Sequence, residues 1–298
     1  MRSAVFLAAG LALWPSLAPA RSPVSATFAA GAQYDSNISV EEADIPTRRG
    51  DYALLLQGAV AITPIESKAT TLRLGYSLDD ERNAQLSDVN ITIHALSAGI
   101  SRRFGKAMSG ADYQFSHVLL GSKRYLDIHT ASPSLSAFVS RNLFVRLAGT
   151  YQRKDFVEVD PLDATTLTLG ADAYRFFAKR KGYVAIAVRG DHERTRAAQY
   201  RFDGVQASVR VQIPIHVGKS VWKARAGYAF QNRDYLAPWP TLDEARHETR
   251  STFSAGLEVP VIAGVTLRPQ ARYVDRRSNV AFYDYREHVV SVTAMLKL

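Results

Sequence analysis

The chain has 298 residues, a formal net charge of +9, a pI near 9.7 and no cysteine. The length allows one large domain or two small ones. The absence of thiols excludes disulfides, thiolate metal sites, a cysteine nucleophile and a lipid-bearing N-terminal cysteine.

The first twenty residues read as a secretory signal peptide. Arg2 gives a positive start, Ala4 to Trp14 an apolar run, and Ala18-Pro19-Ala20 an A-x-A cleavage site. A retained anchor helix is the alternative, and Pro15 and Pro19 would break it. No later stretch approaches the ~18 apolar residues of a spanning helix. In an exported protein the basic balance points to anionic lipid or a basic channel rather than nucleic acid.

Residues 21–298 show one kind of element throughout. Apolar residues recur with period two, the mark of strands. Leu72, Leu74, Tyr76 and Leu78 alternate with Thr71, Arg73, Gly75 and Ser77. Val209, Val211 and Ile213 alternate with Ser208, Arg210 and Gln212, and Leu267, Ala271 and Tyr273 with Arg268, Gln270 and Arg272. The predicted strands, in chain order, are 24–36, 51–63, 68–80, 90–103, 107–119, 125–139, 142–155, 165–177, 182–193, 200–215, 219–233, 248–261, 264–276 and 283–298. Connections alternate between short turns, such as Gly105-Lys106 and Val217-Gly218-Lys219, and longer polar loops, such as "VEVDPLD" and the stretch from Pro238 to His247.

Loop lengths sorted in this way fit an all-β fold, a transmembrane antiparallel up-and-down barrel of about fourteen strands. A secreted sandwich or solenoid has no reason to sort them. The apolar face would meet lipid and the polar face would line a lumen. Tyr34, Tyr52, Tyr151, Tyr183, Tyr200, Tyr235 and Tyr273 lie near strand ends, where aromatic girdles belong. Closure also explains why Val290 to Leu298 still alternates at the end of the chain: a last strand paired with the first needs no cap. The expected location is the Gram-negative outer membrane.

Chemistry by side chains finds little support. The seven histidines are dispersed, and no nucleophile motif, metal spacing or phosphate loop occurs. Asp191 and Glu193 share a strand face as charged tips, so neither a catalytic nor a cofactor site is expected. A lipase or protease built from scattered Ser, His and Asp is the enzyme alternative. The lumen says more. By parity Arg73, Arg146, Arg189 and Arg210 point inward, as do Lys223, Arg225, Arg268 and Arg272. Fewer acids stand against them: Asp112, Asp172, Glu258 and Asp275. Such bases form either an anion-selective ring or a ladder of ion pairs bracing the wall.

Two stretches look alike: "GAQYDSNIS" leaving the first strand and "DRRSNVAFYDYREHVVSV" bridging the last two. This pairing resembles the C-terminal barrel of the surface lipoprotein assembly modifier (Slam) family. The match lies in Tyr34, Asp35 and Asn37 at one end, and Ser278, Asn279, Tyr283, Asp284, Tyr285 and Arg286 at the other. The resemblance implies a conduit that moves a client lipoprotein or secreted protein to the surface, with outer-membrane lipid and the barrel-insertion machinery as partners. Slam proteins also carry helical repeats before the barrel. Here the signal peptide leads straight into strand one, so a separate periplasmic partner would recruit the client. A passive porin for small anions or oligosaccharides, and an adhesive barrel, are the rival readings. In the turns themselves, Asp35, Asn37, Ser278 and Asn279 suit backbone-satisfying roles at a tight rim.

Overall fold

The computed structural model describes residues 23–40, 45–240 and 243–298, so the expected signal peptide lies outside the described residues. The first strands are β1 (Val24–Asp35), β2 (Ser39–Val40), β3 (Ile45–Pro46), β4 (Asp51–Glu66), β5 (Thr70–Asn83) and β6 (Ile91–Phe104). They are followed by β7 (Ala107–Leu120), β8 (Lys123–Ser140), β9 (Leu143–Phe156), β10 (Ala164–Phe177) and β11 (Gly182–Thr195). The chain finishes with β12 (Phe202–Val217), β13 (Ser220–Pro238), β14 (Ala245–Ile262), β15 (Val265–Ser278) and β16 (Tyr285–Lys297). Every strand except β2 and β3 belongs to one closed antiparallel barrel of fourteen strands, each paired to its sequence neighbours, with β1 closing on β16. Strands β2 and β3 form a small hairpin in the first loop.

Closure is made by the alternating tail. Asp35 lies opposite Val289 and Thr27 opposite Lys297. Beyond them the Leu298 N–H donates to the Ala26 carbonyl at 2.9 Å. Gly31 sits where β16 comes closest: a Cβ there would lie 2.8 Å from the Thr293 Cα and collide with the Val292 carbonyl. Only glycine lets the two backbones approach this far.

Period two sets the two faces. On β12, Val205, Val209 and Ile213 are exposed on the outside while Gln206, Ser208 and Arg210 are half-buried within. The outer wall is a lipid-facing apolar band. Its upper edge carries Tyr76 and Tyr113, whose hydroxyls meet the rings of His94 and His129 at 2.8 Å. Tyr34 and Tyr52, Tyr151 and Tyr273 lie on the same outward parity. Three of the expected girdle tyrosines do not. Tyr183 and Tyr235 take the parity of Ala185 and Arg233 and face the lumen, and Tyr200 packs on Trp239 in a loop. Distance from a strand end sets height in the membrane; parity sets the face.

The short connections gather on one rim, the periplasmic side in barrels of this kind. The opposite, outer rim holds loops L1 (36–50), L2 (84–90), L4 (157–163), L6 (239–244) and L7 (279–284). L6 is shorter than the expected loop from Pro238 to His247, because β13 and β14 extend their ladder above the membrane and keep those backbone groups paired. The outer rim also has one tight turn, Gly121-Ser122 between β7 and β8, with φ of 55° and 66°. Two successive residues at positive φ match the right-handed twist of a hairpin.

Candidate functional site: the lumen and its outer mouth

Inward positions on β9 to β15 carry the basic ladder. Arg189 pairs with Asp172 at 3.1 Å. Lys223, Arg225 and Arg268 converge on Glu258 at 3.3, 3.0 and 2.9 Å. Arg272 binds Glu287, Arg146 faces Asp112, and Arg210 donates to the Tyr174 hydroxyl at 3.2 Å. Arg73 stands apart on β5, opposite Gly99 of β6. Asp275, expected inside, lies outside: it shares the parity of Tyr273 and pairs with Arg277 and Arg286. Asp191 and Glu193 take supporting roles within the lumen, Asp191 accepting from Thr168 at 2.7 Å and Glu193 from Thr166 at 2.8 Å.

Bases are not spread evenly around this wall. Opposite the ladder, the inward positions of β4 to β7 carry only two bases, Arg73 and Arg103, against Asp51, Asp79, Glu81 and Asp112. At mid-height the lumen is wetted, since the inward Arg225, Ser254 and Gln270 remain exposed.

The outer mouth is packed instead. On one side L1 leans inward and seats Val40 on an apolar platform of Val118, Leu126, Ile128 and Phe156, with Val89 of L2 and Leu162 of L4 against it. On the other side Arg246, 1% exposed, is stacked between Tyr235 and Tyr283 with its guanidinium carbon 3.7 and 3.9 Å from the ring centres. Trp239 adds a third ring at 5.4 Å, and the Glu248 carboxylate pairs with both Arg246 and Arg276. A buried guanidinium is tolerable here because rings and carboxylate replace its water. L1 also reaches the cage side, where Arg48 donates to the Ala281 carbonyl at 2.7 Å. L1 therefore lies across the mouth.

The two motif-bearing stretches meet at this rim. The Asp35 carboxylate accepts the Asn37 N–H at 2.9 Å. Ser36 N–H donates to the His288 carbonyl, and the Ser36 hydroxyl accepts the His288 N–H at 2.8 Å, across the β1–β16 seam. Ser278 accepts the Val280 N–H, and Asn279 ties L7 to β14 through His247 and Ala245. Tyr283 is buried in the cage and Tyr285 beside it against Arg276, Asp284 and Arg286 are exposed, and Tyr34 packs on Tyr52 outside with its ring tilted. These residues chiefly brace the rim and seam.

Sequence reasoning missed an inward aromatic strip near the periplasmic turns: Phe138, Phe144, Tyr174, Phe176 and Tyr183. Their ring centres are 5.2 to 6.3 Å from one another along the strip. The signal was available, because each shares the parity of a polar lumen residue: Ser136, Arg146, Asp172 or Arg189.

This barrel, with its polar lumen and apolar outer band, defines the class: an outer-membrane β-barrel. No family model and no curated protein matches the sequence. Solved structures do match in fold. An anion-selective porin from Comamonas acidovorans aligns with a TM-score of 0.55 at 9% identity, over 92% of this chain and 98% of that one. OmpT from the outer membrane of Vibrio cholerae aligns at 0.54 and 9%, over 94% and 99%. CdiB from Acinetobacter baumannii aligns at 0.50 and 10%, over 94% of this chain but 61% of its own. At these identities the likeness is one of fold.

Proposed function

We propose that this chain is an outer-membrane conduit of Slam type, which helps a client lipoprotein or secreted protein reach the cell surface without chemical turnover. The carrying observation is the contrast between a wetted, basic lumen and an outer mouth packed by L1 and L7, into which the Tyr-Asp-Ser-Asn and Ser-Asn motifs lead from β1 and β15. A mouth packed at rest suits a barrel that opens for a client more than one that passes solutes continuously. A separate periplasmic partner delivers the client in this reading. The second reading, a passive channel for small anions, is favoured by the lumenal bases from Arg146 to Arg272, which would select anions in an open pore.

The seam separates the two. Ala29 lies directly opposite Met295, so a cysteine at each position in this cysteine-free chain can staple β1 to β16. For a client conduit, oxidation abolishes surface display, reduction restores it, and ion conductance stays constant. Unchanged display, together with a large anion-selective conductance in planar bilayers, assigns the chain to the channel class instead.

A further inference from the structure

The aromatic strip near the periplasmic turns has no role in the packing described so far. Rings elsewhere inside this barrel are consumed by packing: Phe156, Phe202, Tyr235 and Tyr283 at the outer mouth are 6%, 4%, 5% and 5% exposed. Phe138, Phe144, Tyr174, Phe176 and Tyr183 are only half-buried, although they face a wetted lumen rather than lipid. An aromatic face left beside water in a polar channel is unfavourable unless something apolar covers it.

The strip does not stand alone. At its lower edge the Arg180 guanidinium lies 4.7 Å from the Phe138 ring centre, and above it Arg210 donates to the Tyr174 hydroxyl. Tyr183 lies opposite Gln212 on β12, whose amide oxygen accepts from Arg225 at 2.9 Å. Arg225 in turn belongs to the trio of bases on the single acid Glu258. One arc of wall thus runs from apolar rings, through an amide, into cations that outnumber their acids. Below it, the turn rim bears Lys68, Lys106, Arg141, Lys179, Lys181 and Lys219, all exposed, with Glu66 the lone acid among the turns. Such a rim concentrates anions at the lumen's periplasmic opening.

We propose that this arc is a binding site for an organic anion with an apolar ring face: a carboxylate-bearing ring that lies on Phe144, Tyr174 and Tyr183 and directs its charge to Arg225 and its neighbours. The ring strip supplies contact area and the excess cations the charge selectivity, while Gln212, bonded to the Lys181 carbonyl and to Arg225, holds Arg225 beside the rings. This goes beyond the conduit reading, since it concerns what the resting lumen holds and is independent of whether a client passes. Two sources share the chemistry, acidic oligosaccharides and aromatic carboxylates.

The test is calorimetry on the folded, detergent-solubilised barrel with trigalacturonate, benzoate, maltotriose and inorganic phosphate as separate titrants. Binding of trigalacturonate or benzoate, without maltotriose or phosphate at the same concentrations, is expected. The tighter of the two tells saccharide from aromatic acid. Phe144→Leu/Tyr174→Leu and Arg225→Gln are each expected to weaken binding at least ~10-fold, whereas Phe104→Leu on the outer wall leaves it unchanged. Heat-dependent gel mobility establishes folding for each variant, and Tyr183→Leu alone serves if the double variant does not assemble. Failure of both ring-bearing anions to bind overturns the proposal, including where an unfolded acidic polypeptide binds instead. So does equal binding of maltotriose or phosphate, or an affinity indifferent to loss of the rings.

Discussion

Arg246 shows how one residue organises the outer mouth. Its guanidinium is a flat cation between two flat rings, with Glu248 Oε1 at 3.2 Å. Lysine keeps the charge but loses the planar fit, so Arg246→Lys is expected to cost about 1–2 kcal/mol, read as a lower urea midpoint for unfolding in detergent. Val40 is the counterpart on the platform side, 8% exposed against Leu126 and Phe156. A carboxylate there would lose its water among side chains that are apolar apart from the Tyr125 hydroxyl. Val40→Asp should therefore lift L1 off the platform and raise bilayer conductance several-fold while heat-modifiable gel mobility is retained. Unchanged conductance would show that L1 does not obstruct the mouth.

At the scale of the strand, parity decides what a substitution does. Val209, outward near the middle of β12, meets acyl chains, and Val209→Arg should cost about 2–4 kcal/mol. Ser208→Arg, one residue away but facing the wetted lumen, should cost far less in the same unfolding assay. Gln212 would be a poor lumenal control, being 4% exposed and bonded to both the Lys181 carbonyl and Arg225. The seam gives a second contrast. Gly31→Ala forces β1 from β16, whereas Gly58→Ala meets nothing closer than 3.7 Å. The first variant should reduce the heat-modifiable, assembled fraction on gels, and the second should leave it intact.

Strand number, order and the inward bases from Arg73 to Arg272 were readable because period two is imposed by backbone geometry and cannot be masked by context. Loop behaviour was less readable. Ile38 and Val40 are isolated apolar residues in a polar stretch, and only the tertiary fold shows that both are buried and that Val40 reaches β7 and β8. The lumenal rings escaped for a different reason: proximity to strand ends suggested a membrane girdle for Tyr183 and Tyr235, although their parity already placed them inside. The rim motif was visible as sequence similarity between two distant stretches. Its physical content, hydrogen bonds between Ser36 and His288, required the closed barrel.

At the scale of the whole molecule, the path of L1 carries a consequence of its own. L1 leaves β1 at the seam, bonds there to His288, rests on the far wall through Val40, and is tied to L7 by Arg48. Any unpacking of the mouth would therefore involve the same segment as any parting of the seam, and the two would be thermodynamically linked. A ligand or partner that stabilises either open form stabilises the other by the same coupling free energy. A client bound at the parted edge would lower the work of clearing the mouth, and a molecule pressing on L1 from outside would loosen the edge. Events at the mouth and at the outer end of the seam would thereby be coupled through L1.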